Sequence, residues 1–486
     1  MSAFSVCCAI FGASLPAAAD PAVYEVGADP AVGFNLISWW NFGGTGASTW
    51  QNAVQGLYDA GFRSVSISPV RFVNIDTGQI LASSTKGPEI SHIEAGVIRA
   101  KSLGMRVTVN PFVELFDANG AGTGDDEYFA DLPGGCTWRG CWNPTAGSAI
   151  SNQFWSDYQN YMVAVAQIAE THHVDAMTIG TEYKALDSNS AHNSSWASVI
   201  DAVDATYHGP LGYAANWDDY GLGGGNVETA IWNNSAIDFI GIDSYFINMV
   251  TNTQADGSGT YPNAAFINTM TTAWNNKLNN EILPYAAARK GGAGMPVAFT
   301  EIGYLPYNRT SRNPQNSSGQ PVDTGEQIMA FNGLINALDG RADKFFALDV
   351  WQWGMPGSDG SLWNMDTTLP ANPANNVPAS QWLAAFVGTA VFPLAGDYNR
   401  DNVVNAADYV AWRKNLGKYV LQYSGADGNG NGVIDQPDYS VWRSNFTGGP
   451  GSGAGLGGEV PEPATACFVL CAMSCLFARR GICRTC

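Results

Sequence analysis

The sequence predicts an α/β protein: a closed barrel of eight parallel strands, each followed by a helix, with a small repeat-built module after it. Three observations predict this. Eight β-branched or apolar runs recur between residues 34 and 353, amphipathic stretches with three- and four-residue apolar spacing separate them, and a duplicated Asp/Asn-rich segment follows. Strand–helix alternation makes the strands parallel, and eight repeats fit a closed barrel better than an open sheet. A doubly wound sheet is the alternative, but no Gly-rich phosphate loop follows the first strand.

The elements follow in order. Phe34–Trp39 opens the series, and Thr49–Ala60 is the first stretch whose apolar positions recur at three- and four-residue intervals. Ser64–Val70 alternates at period two and precedes a helix over Ile90–Leu103. Arg106–Val113 is the third strand, and a long amphipathic stretch, Asn152–Glu170, leads to the fourth, Val174–Glu182. Trp196–Tyr207 and Leu211–Asn216 supply the next helix and strand. Ile237–Tyr245, a helix over Ala264–Ala288, Pro296–Glu301, a helix over Gly325–Leu338 and Phe345–Trp353 complete eight strands.

The chain of 486 residues exceeds the roughly 250 that such a barrel needs, so one large domain over 30–392 carries small appendages. A formal charge of −20, from 23 Lys+Arg against 43 Asp+Glu, argues against a nucleic-acid partner. A neutral substrate fits better, and an aromatic fraction of 12% with 16 Trp suits surfaces that stack sugar rings as well as a large core. Of the cysteines, only Cys136 and Cys141 fall in the folded body. In an exported protein they form a local disulfide or stay free; a C-x4-C pair alone makes a poor metal site.

Residues 1–19 are small and apolar up to Ala17-Ala18-Ala19, which predicts a signal peptide without a basic start. At the other end, a Gly-rich linker over 447–459 precedes Val460-Pro461-Glu462-Pro463, an apolar run from Ala464 to Ala478, and Arg479-Arg480. A 15-residue run spans about 22 Å as helix, short of a bilayer core of about 30 Å. Residues 460–486 resemble the PEP-CTERM sorting signal of bacteria. That resemblance implies a secreted or envelope location, a transient anchor and sorting machinery as a partner.

Two glutamates stand directly after strands: Glu182 in Thr178-Ile179-Gly180-Thr181-Glu182, and Glu301 in Ala298-Phe299-Thr300-Glu301. Parallel barrel strands end on one rim, so both carboxyls rise on the same face. A retaining glycosidase needs such a pair, one protonated to serve the leaving oxygen and one ionised to attack the anomeric carbon. The surrounding runs, Tyr213-Ala214-Ala215-Asn216-Trp217, Ile240-Gly241-Ile242-Asp243-Ser244-Tyr245, Thr300-Glu301-Ile302-Gly303-Tyr304 and Trp351-Gln352-Trp353, resemble the clan A glycoside hydrolases and within them glycoside hydrolase family 113, a β-mannanase family. The resemblance covers roughly residues 33–355. It implies a TIM barrel, Glu182 as acid/base and Glu301 as nucleophile. Thr181 stands where most of the clan has Asn.

Further substrate-binding candidates are Trp39, Arg71, Asn110, Asn216, Trp217, Tyr245, Trp351 and Trp353, with Trp40 and Glu114 beside them. Trp351 and Trp353 share one strand face by alternation, so at least one should floor the reacting sugar, with barrel core the alternative for the other. Tyr245 either orients Glu301 or belongs to the core; Arg71, Asn110 and Glu114 hold sugar hydroxyls or brace the glutamates, with structural ion pairing as the alternative for each. His172 and His173 precede the fourth strand and are structural. The chemistry needs no cofactor.

Residues 397–416 and 427–446 repeat one pattern at an offset of 30. In an EF-hand-type loop the first supplies Asp397, Asn399, Asp401, the Val403 carbonyl, Asn405 and Asp408 to calcium; the second supplies Asp427, Asn429, Asn431, the Val433 carbonyl, Asp435 and Asp438. Residues 396–446 resemble a type I dockerin, which implies structural calcium and a cohesin-type protein partner; a calcium-stabilised spacer is the alternative. Together with the family resemblance, these residues imply a retaining, endo-acting hydrolase of β-linked polysaccharide, with β-1,4-mannan as the expected substrate. Xylan or glucan hydrolysis, or a non-catalytic glycan-binding surface protein, are the alternatives.

Overall fold

The computed structural model describes residues 32–81, 87–116, 138–221, 227, 229–250, 263–317, 319–338, 341, 344–355, 363, 365, 379–380, 383–384, 396, 398–399, 404–417, 426, 428 and 434–446. Nine parallel strands form the barrel: β1 (Val32–Ser38), β2 (Ser64–Asn74), β3 (Arg106–Val109), β4 (Phe112–Phe116), β5 (Ala176–Thr181), β6 (Leu211–Asn216), β7 (Phe239–Asp243), β8 (Val297–Ile302) and β9 (Phe345–Trp353). β1 pairs with both β2 and β9, which closes the ring. All eight expected staves are present.

The third stave departs from expectation by splitting. Pro111 has no N–H for a ladder, and the chain breaks at Asn110-Pro111. β3 bridges β2 and β5, whereas β4 pairs with β2 alone, Val70–Asn74 against Phe112–Phe116. The fourth stave is therefore β5 and the seventh β8.

Helices α1 (Gly46–Asp59), α2 (Ile90–Ser102), α3 (Ala149–Thr171), α4 (Lys184–Asp187), α5 (Asn193–Asp204), α6 (Thr229–Trp232), α7 (Ala264–Lys277), α8 (Leu283–Ala287) and α9 (Thr324–Leu338) accompany the strands. The single helix expected over 264–288 is α7, a π turn over Leu278–Ile282, and α8. Pro284, which cannot donate to the carbonyl four residues back, follows that turn. Trp50, Trp196, Trp232, Trp274 and Trp353 are fully buried.

Part of the barrel's buried interior is polar. Asn35 Nδ2 donates to the Thr300 carbonyl at 2.9 Å, Ser68 Oγ to Asn35 Oδ1 at 3.1 Å, and Thr300 Oγ1 to Asp243 Oδ1 at 2.7 Å. Asp349 is buried nearby, and neither carboxyl oxygen has a hydrogen-bond partner among the described residues. A Cβ on Gly33 would lie 2.8 Å from Asp349 Oδ1, so only glycine lets the strands close around this group. Burial pushes the Asp349 carboxyl up to about 8 from 3.8. The folded state thus keeps a proton that the unfolded chain releases, and the stability this gives is complete at low pH and lost as pH rises through about 8. We expect Tm to fall between pH 5 and pH 8, and Asp349→Asn, which cannot ionise, to shrink that fall. A thermal shift series over pH checks it; an identical pH slope in the variant contradicts it.

The C-terminal segment contains α10 (Ala406–Asn415) and α11 (Gln436–Asn445), each opened by a capping box, Asn405 with Asp408 and Asp435 with Asp438. Tyr398, Val404, Trp412, Ala426, Ile434 and Trp442 form a small core of their own. The repeats exchange bonds: Trp412 Nε1 donates to the Asp435 carbonyl and Trp442 Nε1 to the Asn405 carbonyl, each at 2.8 Å.

Candidate active site

Glu182 leaves β5 in a left-handed backbone conformation, φ 54°, which a side chain other than glycine rarely adopts. Its N–H donates to the Ala214 carbonyl at 2.8 Å. Two side chains then fix the carboxylate: Asn216 Nδ2 donates to Oε1 at 3.0 Å, and Arg139 Nη2 to Oε2 at 2.8 Å. Glu301, on β8, accepts the Tyr245 hydroxyl at Oε2 at 3.0 Å, while its Oε1 has no hydrogen-bond partner among the described residues. Both carboxyls line one cleft of about 450 Å³, so they share a rim.

Arg139 is the organising cation. It sits in the short turn Arg139–Cys141, whose Cys141 is disulfide-bonded; Cys136 lies outside the described residues. Its Nε donates to the Thr181 carbonyl at 2.8 Å and its Nη1 to Glu114 Oε2 at 2.9 Å, and its own backbone N–H reaches Glu114 Oε1 at 2.9 Å. The guanidinium also lies 4.4 Å from the centre of the Phe112 ring. Glu114 comes from β4, so the split third stave puts the anchor for this arginine above the barrel mouth.

The electrostatics follow from burial. Burial first, then the charge of Glu182, pushes Glu301 up to about 8, with Arg139 and Tyr245 pulling the other way. Burial also raises Glu182, against Arg139 and Asn216, and Asp243 below the pair is raised well above the usual range by burial and by both glutamates. Burial alone would weaken the charge on Arg139, but Glu182, Glu114 and Glu301 outweigh it and hold the guanidinium cationic. Burial thus favours the protonated form in the free cleft, most of all at Glu301.

The walls are aromatic. Trp39 meets Phe112 edge-on at 5.7 Å, Trp363 meets Tyr245 edge-on at 5.6 Å, and Trp138 and Trp351 complete the lining with Gln315. Of the residues singled out in the sequence, Trp39, Glu182, Asn216, Tyr245, Glu301 and Trp351 line this cleft. Four others do not. Trp353 is fully buried, edge-on to Phe34 at 5.4 Å and Phe62 at 5.9 Å, because the register of β9 shifts against both β1 and β8 and strict alternation from Trp351 is broken. Arg71 donates to the Pro88 carbonyl and stands over the Tyr161 ring at 5.5 Å. Asn110 is fully buried and accepts the Thr181 hydroxyl at 2.9 Å, bracing the residue before Glu182. Trp217 packs edge-on to Phe246 at 6.4 Å. His172 pairs with Glu94 at 2.8 Å, away from the cleft lining.

Phe112, Trp138, Arg139, Gln315 and Trp363 are lining residues that the sequence reading missed. One signal was available for Arg139: a lone cation between two cysteines, in a chain poor in basic residues. Of the calcium-ligand candidates, Asn399, Asn405, Asp408, Asp435 and Asp438 are described. Asp408 accepts the Asn399 and Asn405 N–H groups at 2.9 and 2.8 Å, and Asp438 accepts the Asp435 N–H at 2.7 Å. Asp397, Asp401, Val403, Asp427, Asn429, Asn431 and Val433 lie outside the described residues, as do the N-terminal stretch, the Gly-rich linker and the C-terminal tail.

The sequence profile of Glycoside Hydrolase Family 113 matches residues 48–359. No curated protein matches the chain. Among solved structures, the chain is similar to the GH113 β-mannanase AaManA of Alicyclobacillus acidocaldarius in complex with ManMIm, at 15% identity and a TM-score of 0.51, over 74% of this chain and 97% of that one. It is also similar to a GH113 β-1,4-mannanase, at 17% identity and a TM-score of 0.48 over 74% and 99% of the two chains. A third is the exo-β-1,4-mannosidase Op5Man5 of Opitutaceae bacterium strain TAV5, at 12% and 0.42 over 76% and 61%. At these identities the first likeness speaks for the barrel fold.

Proposed function

Because the chain belongs to Glycoside Hydrolase Family 113 and is a glycoside hydrolase, we propose that it cleaves β-1,4-mannan internally, with retention, by double displacement on Glu182 and Glu301. One observation carries this reading: two buried carboxyls, each on the end of a parallel stave, open into a single aromatic-walled cleft. The mannan assignment draws on the name of the matched family member, a β-mannanase.

In the proposed reaction Glu301 attacks the anomeric carbon through the oxygen that Tyr245 leaves free. Glu182 protonates the departing glycosidic oxygen, then takes a proton from the water that releases the glycosyl-enzyme. Asn216 and Arg139 keep the Glu182 carboxyl aimed during both steps, and Trp351 offers a flat face to the sugar. The first step needs Glu301 ionised and Glu182 protonated, so binding of the sugar has to lower the raised Glu301 carboxyl. A reducing-end assay over mannans, xylans and glucans, with the product anomer read by NMR, tests this. Activity on mannan with a β-configured first product is expected; cleavage of xylan or glucan alone replaces the substrate, and an α-configured product removes the mechanism.

We also read residues 396–446 as a dockerin-like module that binds structural calcium, on a chain exported through residues 1–19 and sorted through 460–486. Support comes from the duplicated ligand spacing and from the two capping boxes at the expected twelfth positions, Asp408 and Asp438. Without a cation the crowded carboxylates repel, and about 50 residues bury little core. The isolated 396–446 fragment should gain helical circular dichroism on calcium addition and lose it on chelation, while the full chain keeps most of its hydrolytic rate. Equal folding with and without calcium sinks the metal assignment.

A further inference from the structure

The loop between β8 and α9 and the turn after β7 enclose a second cavity, of about 230 Å³, lined by Ile247, Asn248, Arg309, Arg312, Asn316 and Ser317 among others. Two arginines facing one cavity are notable in a chain with 23 basic and 43 acidic residues. Arg309 is exposed, and no acidic side chain among the described residues pairs with its guanidinium. Arg312 is aimed by Asn248, whose Oδ1 accepts its Nε at 3.3 Å. The floor is rigid, because the buried Glu326 carboxyl accepts the Arg309 N–H at 2.7 Å and the Ser311 N–H at 3.0 Å.

Two further features point to a ligand. Ser317 is only 2% exposed, yet its hydroxyl has no hydrogen-bond partner among the described residues. Ile247 is 39% exposed beside the arginines, an apolar surface of the kind a sugar ring covers. The cavity also lies near the cleft along the chain. Gln315 lines the cleft and Asn316 and Ser317 line the cavity; Tyr245 lines the cleft and Ile247 and Asn248 line the cavity. Two or three residues of chain span at most about 10 Å, so the two openings lie close enough for one polymer to reach both.

We propose that the cavity is a subsite for an acidic substituent, a carboxylate-bearing sugar carried on the glycan bound in the neighbouring cleft. A guanidinium fork matches a carboxylate in both geometry and charge, and the exposed Arg309 brings one to the cavity beside Arg312. The proposal rests on the glycan-hydrolase reading for its location, but its test does not depend on turnover.

The test is calorimetric binding to the Glu301→Gln enzyme of mannan, xylan and glucan oligosaccharides, each neutral and carrying one glucuronosyl branch. For at least one backbone, the branched form should bind about tenfold tighter at low salt, an advantage that added salt erodes. The Arg309→Gln/Arg312→Gln double variant should bring the ratio of the two affinities close to one, and Arg309→Lys should leave an intermediate ratio. Unchanged melting of the variants guards against misfolding. Equal affinity for neutral and branched forms in every backbone, or the same ratio with and without the arginines, overturns the proposal. Free glucuronate binding as tightly as the branched oligosaccharide also overturns it, by making the cavity a site for small anions. If the wild-type enzyme hydrolyses none of the neutral glycans, the functional reading fails by itself, and an arginine-dependent binding ratio still upholds the subsite.

Discussion

Replacing Glu301 with alanine should lower kcat by about 10⁴-fold or more, the scale expected when the attacking group of a covalent mechanism is lost. The side chain is buried, its Oε2 takes the Tyr245 hydroxyl, and no other carboxyl in the cleft lining besides Glu182 can replace it. Glu182→Ala should behave differently. A substrate with a good leaving group needs no proton, so an activated aryl glycoside should still form the glycosyl-enzyme, and azide should then intercept it and restore turnover with retention. In Glu301→Ala azide should not restore the retained product. Near-native rates in both variants, or azide rescue with retention in Glu301→Ala, would reverse or remove the assignment.

The second large effect is expected at Arg139. Arg139→Met keeps much of the side-chain volume but removes the donors to Glu182, Glu114 and the Thr181 carbonyl. Misaiming Glu182 should cost about 10²-fold in kcat. The pH profile supplies the sharper readout. The guanidinium lowers the values of both Glu182 and Glu301, so its removal lets both rise further, and both limbs of the rate profile should move to higher pH. Loss of a partner for the buried Glu114 carboxyl also threatens the fold, so Arg139→Lys serves as a second variant that keeps the charge without the fork. If kcat drops with no shift in either limb, Arg139 supports the loop and leaves the proton inventory alone.

How far the sequence carried the reading depends on what each residue's position obeys. Strand-end carboxyls were legible because a parallel barrel puts every stave's end on one face, whatever the loops do; Glu182 and Glu301 needed only that rule. The split of the third stave was written in Asn110-Pro111, but one proline does not say that the strand resumes beyond it and pairs on one side only. Arg139 was not legible as a partner of Glu182. The two lie 43 residues apart, and their meeting is set by where the turn Arg139–Cys141 falls, which no strand or helix period places. Trp138 and Trp363 were missed for the same reason. Arg71 misled in the opposite sense: it lies on a stave, but its guanidinium is claimed by the Pro88 carbonyl and the Tyr161 ring. Trp353 was misplaced because alternation assumes an unbroken register, and β9 shifts against both neighbours.

The crossed indole bonds of the C-terminal repeats carry a consequence for how that segment can be gained or lost. Each repeat's tryptophan satisfies a carbonyl at the helix start of the other, so half the segment leaves one indole N–H and one helix entrance without their partners. The duplication is therefore a single cooperative object. A truncation after the first repeat should not leave half the stability; it should leave an unfolded tail, and denaturant titration of an intact segment should show one transition where two independent repeats would show two.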